Sequence, residues 1–539
     1  MYQVHLTQSL FPAQSDTPYR PMTIADMLEE QAGAQGDAVA LRELQGDGAI
    51  GREWSYADLR RDCERLGRAL ASRHDRGARI AIFANNMPEW IMVEMAAGLA
   101  GLTLVTVNPA FSARELRYVL EQSCAEAIYF VPMVRGNALG PVVEAACAEL
   151  PSIRHRILIT NHSALFEGEE HGELRPTSPD DIVQIQYTSG TTGFPKGALL
   201  KQAGLIQNGL DAVGRWGVAA GDQMLVMMPL FHTAGCGLLV LGGLANGATL
   251  LLAPGFDGEM IARVIDRERI DYVLGVPTMI VGLIDEAEKA GRDLTSLQSI
   301  MSGGAMVAPE LVATARRLFG APIQIVYGQT ETSPGITVAW RDDSEADLSG
   351  TIGQPLPHMD VAILDTADQS VCAIAVQGEI CCRGYHLMAG YNDNPEATTA
   401  TIDADGWLHT GDLGTMDARG YLKITGRVKD MIIRGGENLF PAEIENVMLE
   451  HDAILEAAVV GIPDEKWGEL VACFMRPRGV ERPSPDELKH FIRERLSPQK
   501  TPAHWIWVDQ WPLTGSGKIQ KFALREAYLR GDHEAASSS

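Results

Sequence analysis

The chain has 539 residues, of which 46% are hydrophobic and 21% charged, so it is long enough for several domains and too apolar to be disordered throughout. Its 45 lysines and arginines against 70 aspartates and glutamates give a net charge of −25, which disfavours nucleic acid and anionic membrane surfaces as partners. A small anionic ligand is still compatible with this charge, because backbone dipoles can favour an anion locally.

Eight cysteines without a Cys-x-x-Cys pair do not form a disulfide framework in so long a chain, which indicates a reducing compartment. The adjacent Cys381 and Cys382 are interpreted as lying on opposite faces of a strand. The N-terminal segment lacks a basic start and a continuous apolar core, so it does not resemble a secretion signal. The two longest uncharged stretches, 95–113 and 225–256, are interrupted by proline, asparagine and glycine. We therefore expect a cytoplasmic protein without an integral membrane segment.

Strand-like and helix-like patterns alternate through the first third of the chain. Ser55 and Asp58 have the spacing of a capping box, and apolar residues follow them at helical intervals. The elements predicted next are a strand at 79–83, a helix at 88–100, a strand at 102–107, a helix at 112–122 and a strand at 127–131. This alternation favours the α/β class, with a mostly parallel sheet wrapped by helices. Strand-rich patterns follow at about 350–425, and the remainder from about Lys429 is predicted to be a small α+β unit.

The segment 187–197, with the sequence YTSGTTGFPKG, follows a strand-like pattern at 182–186. Its glycines permit tight turns, and its hydroxyl and N–H groups suit a polyphosphate, to which Lys196 adds a positive charge. A Walker A loop needs GxxxxGK[ST], whereas here Pro195 precedes the lysine and Gly197 follows it. The segment is therefore predicted to be a phosphate loop of a different kind.

Together with further motifs along the chain, this loop resembles the signature of the adenylate-forming superfamily, which contains acyl-CoA synthetases, adenylation domains and luciferases. The resemblance covers nearly the whole chain. The further motifs are SGGA at 302–305, YGQTET at 327–332, GY at 390–391, GWLHTGDLG at 406–414, GRVKD at 426–430, GGEN at 435–438, PAEIE at 441–445 and LTGSGKI at 513–519. The resemblance implies a large N-terminal domain at 1–428, with mostly parallel sheets and a distorted β-barrel. A small, mobile α+β C-terminal domain would then occupy 429–539, with the hinge near Lys429.

The resemblance implies a carboxylate–CoA ligase that uses ATP, Mg²⁺ and coenzyme A. A carboxylic acid and ATP would form acyl-AMP and pyrophosphate, and after rotation of the C-terminal domain the coenzyme A thiol would attack the acyl carbon. The alternative is a stand-alone adenylation enzyme that loads a separate carrier protein, and a third hypothesis is a binding protein that keeps the fold without catalysis. Intact catalytic motifs argue against the third. The expected partners are small molecules, and a homodimer is compatible with them.

Individual roles follow from the resemblance and from side-chain chemistry. Lys518 would bridge the carboxylate and the α-phosphate during adenylation. Thr330 would hydrogen-bond the α-phosphate, and Glu331 would ligate Mg²⁺. His232 resembles a gate residue beside the substrate carboxylate, although an isolated histidine in an apolar stretch is more often a core residue. The residues expected to bind ATP or AMP are Thr188, Ser189, Gly190, Thr191, Thr192, Lys196, Gly303, Gly304, Ala305, Tyr327, Gly328, Gln329, Thr330, Asp412 and Arg427.

The segments expected to form the acyl pocket are small or apolar, which predicts an uncharged, mostly hydrocarbon acid: medium-chain, branched, alicyclic or aryl. The residues predicted to line this pocket are His232, Gly235, Cys236, Gly304, Thr332 and Ile336. The residues predicted to contact coenzyme A are Gly435, Gly436, Glu437 and Trp467. Trp467 would stack on the coenzyme, and its alternative role is that of a half-buried surface tryptophan. The Ser/Thr-His pair that often follows the phosphate loop in this family is replaced by ALLKQ at 198–202.

Overall fold

The computed structural model describes residues 1–188, 195–305, 307–435, 437–513 and 519–533. The chain divides into two compact units. The larger unit contains Met1–Gln3, Phe11–Val361 and Cys382–Leu408, and the second contains Val4–Leu10, Ala362–Cys381 and His409–Ser539. Within the described ranges, no helix is long and apolar enough to cross a bilayer. The division of domains at residue 428 and the hinge at Lys429 stay predictions.

A seven-stranded sheet of the larger unit carries the phosphate loop. Its strands lie in the order Gly390–Tyr391, Lys196–Lys201, Ile182–Thr188, Thr103–Thr106, Arg79–Phe83, Ala127–Phe130 and His155–Leu158. The five strands from Ile182–Thr188 onward are mutually parallel, and the first two are antiparallel to their neighbours. The strands predicted at 79–83, 102–107 and 127–131 are confirmed, and the structure places them side by side in this sheet. Their residues are almost entirely buried, as expected for parallel strands covered on both faces.

A nine-stranded sheet is the second large sheet of this unit. Its strands lie in the order Gln354–Pro355, Gly335–Val338, Ile323–Gly328, Ser299–Gly303, Tyr272–Gly275, Gln223–Val226, Thr249–Leu252, Val39–Leu44 and Ile50–Ser55. The six strands from Ile323–Gly328 to Val39–Leu44 are parallel. Ligands of such sheets bind beyond the carboxyl ends of the strands, and two motifs of the sequence begin at two of these ends. A short hairpin, Met133–Val134 with Asn137–Ala138, lies outside both sheets.

Helices separate the parallel strands, so the predicted α/β class is confirmed. The helices of the larger unit are Ile24–Gln35, Tyr56–Arg73, Pro88–Leu99, Ala113–Gln122, Gly140–Cys147, His162–Leu165, Gln202–Trp216, Gly242–Ala245, Gly258–Glu268, Pro277–Ala290, Pro309–Phe319, Glu345–Gly350 and Pro395–Thr401, with a π-helix at Ala234–Leu241 and a 3₁₀ turn at Thr330–Thr332. The capping box predicted from Ser55 and Asp58 begins the helix Tyr56–Arg73. The helix Pro88–Leu99 is buried on every face.

The second unit is built on β-structure and a C-terminal α+β layer. A five-stranded sheet, expected as a distorted barrel and belonging mostly to this unit, has the order Leu10–Phe11, Met359–Leu364, Gly378–Gly384, Leu408–Met416 and Leu422–Arg427. The C-terminal sheet has the order Glu437–Leu439, Ile432–Arg434, Gly468–Pro477 and Ile454–Asp464, with His504–Trp507 also paired to Gly468–Pro477. Its helices are Pro441–Leu449, Pro485–Arg493 and Lys521–Arg530, with a 3₁₀ turn at Pro498–Lys500. Successive residues of each strand point to opposite faces of this C-terminal sheet. The apolar residues therefore form two clusters, one on each face.

Candidate active site

An antiparallel strand pair holds both ends of the predicted phosphate loop. Tyr187 pairs with Gly197 and Thr188 pairs with Lys196, so the chain leaves and re-enters the sheet at one point. The Tyr118 hydroxyl donates to the Pro195 carbonyl oxygen at 3.0 Å and ties the second end of the loop to the helix Ala113–Gln122. Lys196 is thereby placed at the end of its strand, where the chain re-enters the sheet. The predicted phosphate ligands Ser189, Gly190, Thr191 and Thr192 lie outside the described residues.

Lys196, Tyr391 and Glu331 come from three separate motifs and lie together. The Lys196 Nζ lies 5.0 Å from the centre of the Tyr391 ring, which is a cation–π distance. The Tyr391 hydroxyl donates to Glu331 Oε1 at 2.7 Å. Burial raises the pKa of Tyr391, so its hydroxyl remains a donor at neutral pH. The strand Gly390–Tyr391 brings the ring to this point by pairing with Lys196–Lys201.

The turn that presents Thr330 and Glu331 is fixed by its own backbone. A Cβ atom on Gly328 would lie 1.9 Å from the Pro334 carbonyl oxygen, so only glycine fits where the strand ends. The Thr332 hydroxyl accepts from the Gln329 N–H at 3.1 Å and donates to the Pro334 carbonyl oxygen at 2.7 Å. Thr332, which was predicted to line the acyl pocket, is fully buried, and its hydroxyl stabilises the turn.

The segment of Gly303, Gly304 and Ala305 begins at the carboxyl end of one strand, beside the carboxyl end of the strand that leads into this turn. The strand Ser299–Gly303 runs parallel to Ile323–Gly328 and pairs Gly303 with Val326. A Cβ atom on Gly303 would lie 2.1 Å from the Val326 carbonyl oxygen, so the two main chains approach as only glycine permits. Gly304 and Ala305 are exposed. Their exposure leaves this main chain open to the ATP or AMP that the resemblance implies here.

The segments predicted to form the acyl pocket contact one helix, Gln202–Trp216. A Cβ atom on Gly209 of this helix would lie 2.8 Å from the Gly237 carbonyl oxygen of the π-helix that contains Gly235 and Cys236. The Asn208 side chain of the same helix accepts from the Gly335 N–H and donates to the Gly335 carbonyl oxygen, both at 2.8 Å.

The other predicted pocket residues flank these contacts. Ile336, beside Gly335, is fully buried, and His232, half-buried, precedes the π-helix. Long π-helices are rare and often mark functional sites.

A buried polar network under Cys236 was missed by the sequence analysis. The Gln186 side-chain amide donates to Cys236 Sγ at 3.1 Å and to Gln184 Oε1 at 2.7 Å, and Gln184 donates in turn to Glu94 Oε1. Burial raises the pKa of Glu94 to about 8, so this carboxyl is neutral at pH 7. The available signals were the two glutamines spaced two apart on one predicted strand and a glutamate in the middle of an apolar helix.

In the second unit, the predicted ribose and phosphate residues Asp412 and Arg427 pair with each other. They face one another on the strands Leu408–Met416 and Leu422–Arg427, and Arg427 Nε donates to Asp412 Oδ1 at 2.8 Å. Gly411, just before Asp412, has a φ of +74°, which glycine adopts without strain. Lys429 is exposed directly after the second strand. Lys518, the predicted adenylation lysine, lies outside the described residues.

The predicted coenzyme A residues Gly435 and Trp467 are in contact. The Gly435 N–H donates to the Trp467 carbonyl oxygen at 2.7 Å, and a Cβ atom on Gly435 would lie 2.9 Å from the indole ring. Trp467 is 43% exposed. Arg434 and Lys466 place their cationic groups 5.8 and 4.9 Å from its ring centre. Glu437 is exposed on the strand Glu437–Leu439, and Gly436 lies outside the described residues.

Comparison with known proteins agrees with this arrangement of motifs. The family profile described as AMP-binding enzyme matches residues 28–392, and that described as AMP-binding enzyme C-terminal domain matches residues 443–518. A putative acyl-CoA synthetase, YngI of Bacillus subtilis, is 35% identical over 94% of this chain and 96% of its own. The mitochondrial medium-chain acyl-CoA ligase ACSF2 of Rattus norvegicus is 32% identical over 88% of this chain and 82% of its own.

Among solved structures, ATP-bound MatB from Rhodopseudomonas palustris is similar with a TM-score of 0.84 and 26% identity, over 94% of this chain and 99% of that one. The profile match spans more than half of the chain, and the relatives extend over nearly all of it. The chain therefore belongs to the AMP-binding, adenylate-forming enzyme family and is an acyl-CoA synthetase, an AMP-forming acid–thiol ligase.

Proposed function

We propose that this enzyme joins a hydrophobic carboxylic acid to coenzyme A through an acyl-adenylate, with ATP and Mg²⁺. The observation that carries the proposal is the convergence of Lys196, Tyr391 and Glu331 from three motifs. It places a cation near the face of one ring and a carboxylate at the hydroxyl of the same ring, which suits a nucleotide polyphosphate and its metal ion. All eight cysteines are free thiols, which supports a cytoplasmic location.

The first half-reaction would use residues of the larger unit together with Lys518. Lys196 would neutralise phosphate oxygens, and Thr330 would hydrogen-bond the α-phosphate. Glu331 fits a Mg²⁺ ligand, because it is a buried carboxylate whose known partner is a neutral hydroxyl rather than a cation. The ion would supply positive charge to the phosphates. Lys518 would offset the charge that develops as the acid attacks.

Asp412 would hold the ribose hydroxyls, with Arg427 keeping one of its oxygens oriented. For the second half-reaction, rotation about Lys429 would exchange Lys518 for the loop around Gly435. Trp467 supports the choice of coenzyme A, because an exposed indole flanked by two cations suits an aromatic base that carries phosphates.

The acid itself is inferred from the surroundings of the π-helix. Gly235, Cys236 and Ile336 are buried and carry small or apolar side chains, which supports a hydrocarbon tail. A medium-chain acid agrees with the relative named above, and branched, alicyclic and aryl acids have similar polarity. The neutral network of Glu94, Gln184 and Gln186 adds no net charge under Cys236, so it would not select an ionised tail.

The deciding experiment is pyrophosphate release over a panel of medium-chain, branched, alicyclic, aryl and dicarboxylic acids, with and without coenzyme A. We expect release with one hydrophobic class, and acyl-CoA only when coenzyme A is present. Turnover restricted to dicarboxylic acids would refute the hydrophobic pocket. Acyl-AMP that forms but does not pass to coenzyme A would favour the separate carrier protein.

Lys518→Ala serves as the control variant for this assay. It should abolish formation of acyl-AMP from acid and ATP, yet largely spare thioester formation from supplied acyl-AMP. An equal loss of both half-reactions would contradict the role assigned to Lys518.

A further inference from the structure

Three side chains of metal-binding types meet on two neighbouring strands of the second unit. Glu379 and Cys381 lie two residues apart on Gly378–Gly384 and so share one face, and His409 lies on the adjacent strand Leu408–Met416. His409 Nδ1 is 2.9 Å from Glu379 Oε2 and 3.4 Å from Cys381 Sγ. All three ligand atoms lie within 4.8 Å of one another. We call this group the Glu–Cys–His cluster.

We propose that the Glu–Cys–His cluster is a binding site for one thiophilic divalent cation of the Zn²⁺ type. Zinc bonds of about 2.3 Å to sulfur and about 2.0 Å to nitrogen or oxygen, at tetrahedral angles, require about 3.5 Å between S and N and about 3.3 Å between N and O. The observed separations of 3.4 and 2.9 Å need an opening of only about 0.1 and 0.4 Å to meet this geometry.

The ligand types separate this cation from the Mg²⁺ that accompanies ATP. Thiolate and imidazole favour zinc and its neighbours, whereas Mg²⁺ prefers six oxygen ligands. Three protein ligands leave a fourth position for water, as in catalytic zinc sites. Cys381 is fully buried, but the His409 and Glu379 side chains are 18% and 12% exposed, so the cation would enter from their side.

Binding exchanges protons in a defined way. The Cys381 thiol loses its proton to solvent and coordinates as a thiolate. The proton on His409 Nδ1 passes through solvent to Nε2, so that the imidazole coordinates through Nδ1. The hydrogen bond between His409 Nδ1 and Glu379 Oε2 is replaced by two coordination bonds. No oxidant or reductant takes part.

The cluster is connected to the turn that carries Asp412. The second oxygen of Glu379, Oε1, accepts from the Gly411 N–H at 2.9 Å, and the Thr410 hydroxyl donates to the Ile380 carbonyl oxygen at 2.7 Å. A cation on Oε2 leaves the first of these bonds intact and fixes the carboxylate that makes it. Resting on the proposed function, this makes the cluster a place where a thiophilic cation changes the affinity of the enzyme for the ribose of ATP.

Cobalt and zinc titrations of the purified enzyme without ATP test the site. We expect one Co²⁺ per chain, with thiolate-to-cobalt charge-transfer absorption, displaced by Zn²⁺. Cys381→Ala should abolish the absorption, and His409→Asn, which keeps an amide donor near the position of Nδ1, should weaken binding at least about tenfold. Cys124→Ser is the matched control, since Cys124 is an exposed thiol outside the cluster and its loss should change nothing.

Absorption that survives in Cys381→Ala, disappears in Cys124→Ser, or is absent from the wild-type enzyme would overturn the proposal. Zn²⁺ should also raise the melting temperature of the wild-type enzyme and not that of His409→Asn, and equal shifts in both would count against it. Because these measurements contain neither ATP nor acid, failure of the cation site leaves the ligase assignment untouched. If the enzyme binds cobalt but has no ligase activity, the cation site stands and only its proposed effect on ribose binding is lost.

Discussion

Two carboxylates with predicted roles at ATP, one in each unit, are held in opposite ways. Glu331, in the larger unit, is 8% exposed and accepts from the neutral hydroxyl of Tyr391. Asp412, in the second unit, accepts from Arg427, whose side chain is 61% exposed. In the described part of the chain, Glu331 makes no ion pair. The Glu331 carboxylate is therefore available to a metal ion, whereas Asp412 is already paired with an arginine and is suited to neutral hydroxyl donors.

Of the substitutions that test this comparison, one at Glu331 should have the largest effect on activity. Glu331→Gln keeps the shape of the side chain and removes its charge, so pyrophosphate release should fall about 100-fold or more and should need more Mg²⁺. The measurement is a Mg²⁺ titration at saturating ATP. An unchanged titration would show that the carboxylate does not ligate the ion.

Asp412→Asn tests the other side of the comparison. Losing a charged acceptor should cost about 1.5–3 kcal/mol of ATP binding, or roughly 10- to 150-fold in kcat/KM for ATP, with little change in the Mg²⁺ requirement. Steady-state assays with ATP and with 2′,3′-dideoxy-ATP measure the effect. The variant should discriminate less between the two nucleotides, and full retention of discrimination would place the ribose elsewhere.

Tyr391→Phe sharpens the comparison by removing only the hydroxyl that orients Glu331. The ring stays beneath Lys196, so we expect a loss of about tenfold in pyrophosphate release. Tyr391→Leu, which also removes the cation–π contact, should lose more. If both variants lose equally, the ring has no separate role, and if neither loses activity, the convergence of the three motifs is not functional.

Glu94 extends the comparison to a carboxyl whose described partners are one amide and one thiol, Gln184 and Cys236. Its folded pKa of about 8 lies above the usual 4.5, so its contribution to stability is fully present below pH 4.5 and is lost as pH rises through about 8. Glu94→Gln should therefore raise the melting temperature by a few degrees at pH 9 and leave it nearly unchanged at pH 5. Differential scanning calorimetry at the two pH values measures this, and equal shifts at both would contradict the protonated state.

Local signals in the sequence predicted the elements that carry the phosphate loop. Ser55 and Asp58 mark a helix start through a capping box, and the strand at 79–83 is a short apolar run between turns. The register between Thr188 and Lys196 was not predictable in this way, because it depends on a strand pairing formed across the loop.

The contents of the site were harder to predict than its motifs. Tyr391 was visible within a motif, but its bond to Glu331 joins residues 60 positions apart and has no local signal. Glu94 was hidden for a different reason. Periodicity cannot show which face of the helix Pro88–Leu99 meets Cys236 when every face is buried.

The contact between the helix Gln202–Trp216 and the segment after the π-helix has a consequence for engineering the enzyme. A methyl group on Gly242 would lie 2.6 Å from the main-chain oxygen of Gly209, which cannot rotate away. A methyl group on Gly237 would instead meet the side chain of Leu205 at 3.1 Å, which can change rotamer. For the proposed acyl pocket beside the π-helix, Gly209 and Gly242 have no room for a side chain, whereas Gly237 can take one when Leu205 moves. A variant library aimed at a different acid should therefore begin at Gly237.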